Sequence, residues 1–313
     1  MKTNINWPDG KRFAFTVFDD TDYTTLQNGP RIYQLLYDLG IITTKSVWPI
    51  KGGHVPHIGG MTCKDSEYLK WVLRLKEQGF EIALHNATYH TSKRKQAIDG
   101  LEQFKKFFGE YPKIHTNHVG CNDNIYWGDS RLSGINKLFY NFLTRFRNTG
   151  KFLGSVESSD LFWGDKCKQH IKYVRNFVYS DINTLKACPY MPYLDKDRLF
   201  VNNWFASSEG ATCQSFCQTI SEINQDRLEE EGGACIMYTH FGTAGFYDDG
   251  QLNSDFKRLV ERLSRKSGWF VPVSTLLDYM QKERGHHVIS ARERNRLEWR
   301  WLKHKVFVTR GST

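Results

Sequence analysis

Short apolar runs alternate with amphipathic segments along most of the chain. Buried strands are predicted at 13–18, 43–50, 80–84, 113–119, 234–239 and 269–273, where the runs are short and apolar. Helices are predicted at 30–40, 67–79, 91–109, 134–146, 214–230, 255–267 and 274–282, where apolar residues recur at helical spacing. Further strands are expected at 184–188 and 199–206. This alternation predicts an α/β fold with a parallel sheet, either open or closed into a barrel.

The domain organisation follows from the absence of repeats and linkers in residues 1–282, which we expect to form one domain. Residues 283–313 form a basic extension, in which arginines and lysines alternate with tryptophan, leucine and valine. We expect a terminal helix that packs on the domain through Trp301 and Leu302. Peripheral contact with an anionic membrane surface is the alternative, because basic amphipathic helices that carry tryptophan bind such surfaces.

Composition excludes several protein classes. With 40% apolar and 14% aromatic residues the 313-residue chain is globular rather than disordered. The net charge of +9 would suit nucleic acid, an anionic membrane or a phosphorylated substrate. No nucleic-acid-binding motif is present, so we expect no such partner. No signal peptide or long apolar run is present, which predicts a cytoplasmic protein.

The seven cysteines are an odd number in a chain without a secretion signal. We therefore expect reduced thiols rather than a disulfide framework. Cys213 and Cys217 could share one helix face, but without a second matching pair they favour small buried residues over a zinc site.

Polar groups follow three of the predicted strands. Asp19 and Asp20 follow the first strand, His85 follows 80–84 and His240 follows 234–239. Each alone has an ordinary explanation as a cap, a turn former or a hydrogen-bonded residue. Because parallel strands end on one face, however, these groups converge there and could bind a metal or move protons.

A second histidine, His90, lies five residues after His85 in HNATYH. Two ligands on one helix face would be spaced by four, so a spacing of five predicts a loop. One carboxylate with two imidazoles suits a catalytic divalent metal. Asp19 and Asp20 can divide the roles of free base and ligand, because consecutive residues of an extended chain point in opposite directions.

These motifs resemble those of the polysaccharide deacetylases with a NodB-type domain, carbohydrate esterase family 4, over residues 12 to about 282. VFDDT is similar to the family's TFDDG, HNATYH to its HSxxH, and ACIMYTH to its late strand ending in histidine. The closing WFVPVSTLLDYM is also similar. The resemblance implies a distorted (β/α)7-type barrel of mostly parallel strands.

The resemblance also implies the site residues. Asp19 would be the catalytic base and His240 the general acid, while Asp20, His85 and His90 would bind the metal. Zinc is the expected ion, with cobalt, manganese and nickel as alternatives.

The chain departs from the family pattern at several positions. Thr21 stands where the motif has glycine, and the arginine-containing RxPYG motif is absent. The nearest stretch to it is NHVGCNDNIYWG, with Tyr126 at the position of the motif's tyrosine. Arg175 is a candidate to replace the missing arginine, and His118 competes with His90 as the third ligand. The resemblance is therefore to a divergent member.

The function implied by the resemblance is metal-dependent removal of an N-acetyl or related acyl group from an amino sugar. The cytoplasmic prediction suits a precursor of a cell-surface polysaccharide or glycolipid, such as lipopolysaccharide. A nucleotide-linked or lipid-diphosphate-linked substrate would suit the surplus of positive charge.

Two other functions compete with this one. DTDYT fits the DxDxT signature of haloacid-dehalogenase-type phosphatases, with Asp20 as nucleophile and Asp22 as acid, and WGDKCKQ carries part of their late acidic motif. That hypothesis leaves the three histidines His85, His90 and His240 without a role. A catalytically inactive, sugar-binding homologue of the deacetylases is the other alternative.

Overall fold

The computed structural model describes residues 5–307. The strands are β1 (Phe13–Asp19), β2 (Thr44–Val47), β3 (Glu81–Leu84), β4 (Ile114–His115), β5 (Tyr173–Tyr179), β6 (Tyr193–Leu194), β7 (Asn203–Ser208), β8 (Ala234–Thr239), β9 (Tyr247–Asp248), β10 (Gln251–Leu252), β11 (Gly268–Phe270) and β12 (His287–Val288). The helices are α1 (Gly29–Asp38), α2 (Ser66–Glu77), α3 (Arg94–Phe108), α4 (Gly134–Leu143), α5 (Gly164–His170), α6 (Thr184–Ala187), α7 (Cys213–Thr219), α8 (Glu222–Glu230), α9 (Ser254–Ser264), α10 (Val273–Arg284) and α11 (Ala291–Phe307).

Seven parallel strands close into a barrel. They follow the order β1, β2, β3, β4, β5, β7 and β8, and β8 returns to pair with β1 from Ala14 to Asp19. Strand β11 extends the sheet beside the start of β1, whereas β6 pairs antiparallel with β7 and carries β12 on its other edge. The predicted distorted (β/α)7-type barrel is thereby confirmed. All seven strands end at the same rim.

The sequence of β1 explains its central place. All seven of its residues, FAFTVFD, are buried, as expected for a parallel strand covered on both faces. At its start Phe13 and Phe15 pack edge-to-face on Phe270 of β11. At its end the same burial encloses Asp19, which is 0% exposed. The first strand therefore carries a carboxylate into the protein interior, where it needs a partner.

Some predicted elements differ from those observed. The strand predicted at 184–188 is wrong: these residues form α6, whose backbone N–H at Lys186 donates to the capping side chain of Asn183. The predicted helix 214–230 is two helices, α7 and α8, separated at Ile220 and Ser221. Strand β5 was not predicted, because Arg175 and Asn176 interrupt its apolar pattern. Both of these polar residues are buried.

Helix α11 lies against α4 and β5. Trp301 and Leu302 are buried, and the Trp301 ring packs on Phe177 of β5 and Tyr140 of α4. This placement brings the carboxyl-terminal part of α11 to the rim where the barrel strands end. Across residues 5–307, none of the helices combines the length and the apolar character needed to cross a lipid bilayer.

Candidate metal centre and catalytic groups

A cavity of about 280 Å³ lies at the carboxyl-terminal rim of the barrel. Asp20 and Asp22 enter it from the turn after β1, His85 from the end of β3 and His240 from the end of β8. Arg175 reaches it from within β5. The sequence-based expectation that strand ends deliver polar groups to one face is met here because the barrel strands are parallel.

Three ligand atoms converge at the edge of the cavity, two of them from the lining residues Asp22 and His85. His85 Nε2 lies 3.1 Å from Asp22 Oδ1, and His118 Nδ1 lies 3.2 Å from the same oxygen. The two ring nitrogens are 3.1 Å apart. Asp22, His85 and His118 are all buried, and together they form a group that could hold a metal ion. Of the three ligands predicted from sequence, His85 belongs to this group, whereas Asp20 and His90 lie outside it.

Hydrogen bonds hold both histidines. His85 Nδ1 lies 3.2 Å from the Thr116 carbonyl oxygen, to which it can only donate, so Nε2 is the ring nitrogen that faces the cluster. A contact of this kind fixes the ring orientation of a metal-binding histidine. The backbone of His118 is held instead: its N–H donates to Asn86 Oδ1 at 3.1 Å, and its carbonyl oxygen accepts from Asn124 Nδ2 at 2.7 Å.

The donor set fits a divalent metal. Zinc is bound by imidazole nitrogen and carboxylate oxygen at about 2.0–2.2 Å, which places tetrahedral donors about 3.3 Å from one another. The observed separations of 3.1–3.2 Å are close to that spacing. Burial raises the pKa of Asp22, but the hydrogen bonds with His118 and His85 outweigh it and hold the pKa well below its usual range. The carboxylate is thus ionised, as a metal ligand must be.

Asp20 forms a two-pronged ion pair with Arg175. The guanidinium donates to Asp20 Oδ1 at 3.1 Å and to Oδ2 at 2.5 Å, and Thr116 Oγ1 donates to Oδ1 at 3.1 Å. The Arg175 guanidinium also stacks 4.4 Å from the Tyr238 ring centroid. Burial raises the pKa of Asp20, but Arg175, His85 and His240 together lower it below the ordinary value. Arg175, suggested by sequence as a replacement for the missing arginine, therefore orients Asp20.

His240 faces both carboxylates across the cavity. Its Nε2 lies 3.4 Å from Asp22 Oδ2 and 4.0 Å from Asp20 Oδ2. Its Nδ1 donates to the Ala211 carbonyl oxygen at 3.0 Å, so the ring's other nitrogen is directed into the cavity. The side chain is 16% exposed, and Tyr238 Oη lies 3.1 Å from Nε2. His240 can therefore exchange a proton with a molecule in the cavity.

Asp19 points to the opposite side of the strand end. Its Oδ2 accepts from Lys45 Nζ and Tyr33 Oη, each at 2.9 Å, and its Oδ1 accepts from the backbone N–H of Phe241 at 2.8 Å. The Asp19 and Lys45 side chains are both 0% exposed. Asp19 does not line the cavity, so the structure separates it from Asp20, Asp22 and His240.

His90 lies in a neighbouring hollow. Its Nε2 donates to the His54 carbonyl oxygen at 2.8 Å, and its ring stacks on the His54 ring at 3.7 Å. His118, the alternative third ligand in the sequence, is the histidine that the structure brings to Asp22 and His85. In the sequence Asp22 belongs only to the phosphatase signature. The sequence feature that could have indicated Asp22 is its position two residues after Asp20, in the turn that follows a strand.

Of the phosphatase features, only Asp20 and Asp22 lie at the cavity. Asp165, from the partial acidic motif, lies on α5 and pairs with Arg94 at 2.7 Å, away from the cavity lining. Asp20, the nucleophile of that hypothesis, is held by Arg175.

Tyr126, at the position of the tyrosine in the deacetylases' RxPYG motif, contacts Phe200 instead of lining the cavity.

Comparison with known proteins matches the chain to solved structures, while no family model and no curated protein sequence matches it. One similar structure is a protein from Mycobacterium smegmatis named a polysaccharide deacetylase, with a TM-score of 0.50 and 12% identity over 91% of this chain and 96% of that chain. Puue allantoinase has a TM-score of 0.49 and 12% identity, covering 89% of this chain and 93% of its own. A probable polysaccharide deacetylase from Pseudomonas aeruginosa PAO1 has a TM-score of 0.46 and 12% identity, covering 89% and 94%. The chain has the NodB-type deacetylase fold, as its motifs predict.

Proposed function

We propose that this protein is a metal-dependent hydrolase that removes an N-acetyl or related acyl group from an amino sugar. The observation that carries the proposal is that Asp22 and His85, which form a buried cluster with His118, line the same cavity as Asp20 and His240. A ligand set, a base and an acid within reach of one another are the groups that hydrolysis of an amide requires.

Asp22, His85 and His118 would hold the metal. A divalent ion there supplies Lewis-acid polarisation of the acyl carbonyl and of an attacking water. Two imidazoles and a carboxylate suit zinc, and cobalt, manganese or nickel also accept these ligands. The three protein ligands leave room for substrate, as catalytic sites do.

Asp20 and His240 would move the protons. Asp20 accepts a proton as the oxygen of water bonds to the acyl carbon, and Arg175 keeps its carboxylate oriented for that transfer. His240 Nε2 donates a proton to the amine nitrogen as the carbon–nitrogen bond breaks. The products are a carboxylate, such as acetate, and a free amino group.

The proposed roles of base and ligand fall on different aspartates from those that the motif resemblance implies. Asp20 replaces Asp19 as the base, because Asp19 already pairs with Lys45 outside the cavity. Asp22 replaces Asp20 as the ligand, because Asp22 is the carboxylate that clusters with His85 and His118. The pair that would act is Asp-x-Asp, and both of its side chains line the cavity.

The substrate class rests on more indirect support. Structures of similar fold carry the names of polysaccharide deacetylases, and Trp127, Tyr238 and Trp301 give this cavity aromatic surfaces. A role in a cell-surface polysaccharide or glycolipid precursor pathway stays a prediction, as does a nucleotide or lipid-diphosphate link. No observation favours a second catalytic function over this one.

The test combines metal content with acetate release. Purified protein is stripped with a chelator, reloaded with zinc, cobalt, manganese or nickel, and assayed on N-acetylated amino sugars. We expect release only after reloading, and we expect His118→Ala to lose both metal and activity. His90→Ala is the matched control and should retain both, because His90 bonds to His54 instead. Full activity in His118→Ala, or metal-independent release, would refute the proposal.

A further inference from the structure

A buried arginine lines the same cavity as Asp22 and His85. Arg131 ends a short 3-10 turn, Gly128–Arg131, that precedes α4, and it is 6% exposed. Its guanidinium lies 3.5 Å from the Trp127 ring centroid and 4.9 Å from that of Trp301. Two indole rings thus hold a cation in place at the cavity surface.

Within residues 5–307, Arg131 differs from the other buried arginines in lacking an acidic partner. Arg175 pairs with Asp20, and Arg198 pairs with Asp195. Among residues 5–307, Arg131 Nε has no hydrogen-bond partner, and no carboxylate contributes to its pKa.

Burial lowers the pKa of Arg131 to about 10, with neighbouring arginines adding to the effect. The group is therefore still charged at neutral pH. A buried guanidinium without an anion is costly, which indicates that an anion from outside completes the site.

A second cation lines the same cavity. Lys305, from α11, lines the cavity, and its Nζ lies 5.9 Å from the Trp301 ring centroid. Burial lowers its pKa to about 8, and repulsion from Arg131 adds to this while Glu209 opposes it. Lys305 thus places a second positive charge beside the Arg131 guanidinium, whose pKa no carboxylate of residues 5–307 raises.

We propose that Arg131 and Lys305 bind an anionic group of the substrate, a carboxylate or a phosphate, while the amide lies at the metal ligands. This inference rests on the proposed deacetylase function and narrows its substrate to acylated amino sugars that carry such a group. The planar guanidinium of arginine can donate two parallel N–H bonds to a pair of oxygens of either anion. Helix α11 would then supply part of the substrate site.

The experiment uses sugars that have no amide, so that binding is measured without turnover. Glucose, glucuronate and glucose 6-phosphate are titrated into the metal-loaded protein by calorimetry. Charge-assisted hydrogen bonds contribute about 1.5–3 kcal/mol, so one anionic sugar should bind about tenfold to hundredfold more tightly than glucose. Comparison of glucuronate with glucose 6-phosphate identifies the preferred anion.

The variants identify the residues responsible. Arg131→Gln should abolish the preference for the anionic sugar, and Lys305→Gln, which alters a half-buried residue, should weaken it. Lys303→Gln removes an exposed charge from the same helix outside the cavity and should change nothing. The inference is overturned if the three sugars bind with equal affinity or if none of them binds. It is also overturned if the preference for an anionic sugar survives both Arg131→Gln and Lys305→Gln. An anion preference without acetate release from any N-acetyl sugar would refute the proposed function alone.

A second, independent observation concerns α4, whose apolar face points outward. Its buried residues are Asn136 and Asn141, whereas Ile135, Leu138 and Phe142 are 78%, 63% and 72% exposed. Leu143 and Phe146 continue the exposed apolar surface. A helix normally buries its apolar side, so this inverted arrangement indicates contact with another apolar phase.

Positive charge follows this face along the chain. Arg145, Arg147 and Lys151 follow α4 and are exposed, and the sequence from 130 to 156 contains no aspartate or glutamate. Trp299 of α11 is half exposed beside Phe139, with ring centroids 6.0 Å apart. Exposed aromatic and aliphatic side chains followed by a segment of exposed cations suit the interface of an anionic membrane.

We infer that the outer face of α4, with Trp299, binds the surface of an anionic lipid bilayer. A second copy of this chain is a poorer occupant, because a two-fold contact through this face would bring its arginines together. The membrane contact expected for the basic tail would on this inference centre on α4, with α11 contributing Trp299.

Vesicle sedimentation tests this inference. Wild-type protein should sediment with vesicles of phosphatidylcholine mixed with phosphatidylglycerol, and more weakly with phosphatidylcholine alone, since each cation near the surface contributes about 1 kcal/mol, or about fivefold. Leu138→Glu with Phe142→Glu should reduce binding at least about tenfold. Ile223→Glu is the control, because Ile223 is 80% exposed on α8. The membrane inference is overturned if the protein does not bind vesicles. It is also overturned if light scattering shows a dimer that the Leu138→Glu, Phe142→Glu variant converts to a monomer.

Discussion

Adjacent identical residues have different environments at the end of β1. Asp19 lies on one side of the strand with Lys45 and Tyr33, whereas Asp20 lies on the other with Arg175. Alternation of side chains along an extended chain separates the two carboxylates. The pair at Asp19 is fully buried, so its loss should affect folding more than chemistry.

Substitution of the two aspartates should separate stability from activity. Asp19→Asn leaves Lys45 buried without a counter-charge, which should lower the free energy of unfolding by about 3–5 kcal/mol. Addition of Lys45→Met should restore much of that loss. Asp20→Asn should reduce acetate release by about 10²–10⁴-fold, as expected when a general base is lost. Urea unfolding and initial rates measure the two effects, and an Asp19→Asn protein that is stable but inactive would reverse the assignment.

At the scale of elements, α11 and α4 are joined by one buried carboxylate. Glu298 accepts from the Ser133 backbone N–H at 3.1 Å and Oγ at 2.8 Å, and from Asn136 Nδ2 at 3.0 Å. The glutamate is therefore placed at the amino-terminal end of α4, where a negative charge is favourable. Arg198 approaches the same carboxylate at 3.4 Å. The polar inward side of α4 is thus explained by its contact with α11.

Loss of this carboxylate should weaken the packing of both helices. Glu298→Ala leaves buried donors of Asn136 and Arg198 short of an acceptor, so we expect about 3 kcal/mol less stability. Glu298→Gln keeps an acceptor oxygen and should cost less. Glu283→Ala, on the exposed side of α10, is the control. Equal unfolding midpoints for Glu298→Ala and the control would contradict the proposed packing role.

At the scale of the whole molecule, closure of the barrel by β1 and β8 brings polar groups from distant segments together. It also buries acids that lack a charged partner. Asp123 is buried, its Oδ2 lies 3.4 Å from Asn86 Nδ2, and its Oδ1 has no hydrogen-bond partner among the described residues. Burial raises the pKa of Asp123 from 3.8 to about 7. This group therefore opposes folding once it ionises.

Global stability should consequently depend on pH through Asp123. Between about pH 4 and 7 the folded state keeps a proton that the unfolded state has released, so stability falls as pH rises through this window. A shift of about three units corresponds to at most about 4 kcal/mol. Asp123→Asn removes this contribution, so its advantage over wild type should grow from pH 4 to 7 in urea unfolding. A pH-independent difference between the two proteins would argue against the raised pKa.

Helices and strands were predicted correctly from the sequence where the spacing of apolar residues matches the burial of those residues in the structure. The apolar runs of β1 and β8 and the amphipathic α2, α3 and α9 are determined locally, by strand and helix spacing. Strand β5 escaped prediction because barrel strands can direct polar side chains such as Arg175 and Asn176 into the interior.

The sequence by itself determined that carboxylates and imidazoles follow parallel strands, since strand ends are encoded by local patterns. Tertiary structure alone decided which of them share a cavity. Asp22, His118 and Arg175 meet His85 and Asp20 only because the turn after β1, the loop after β4 and the middle of β5 converge as the barrel closes. Asp19 turns to Lys45 for the same reason. Distances between such segments depend on strand order and register, which no local pattern of residues encodes.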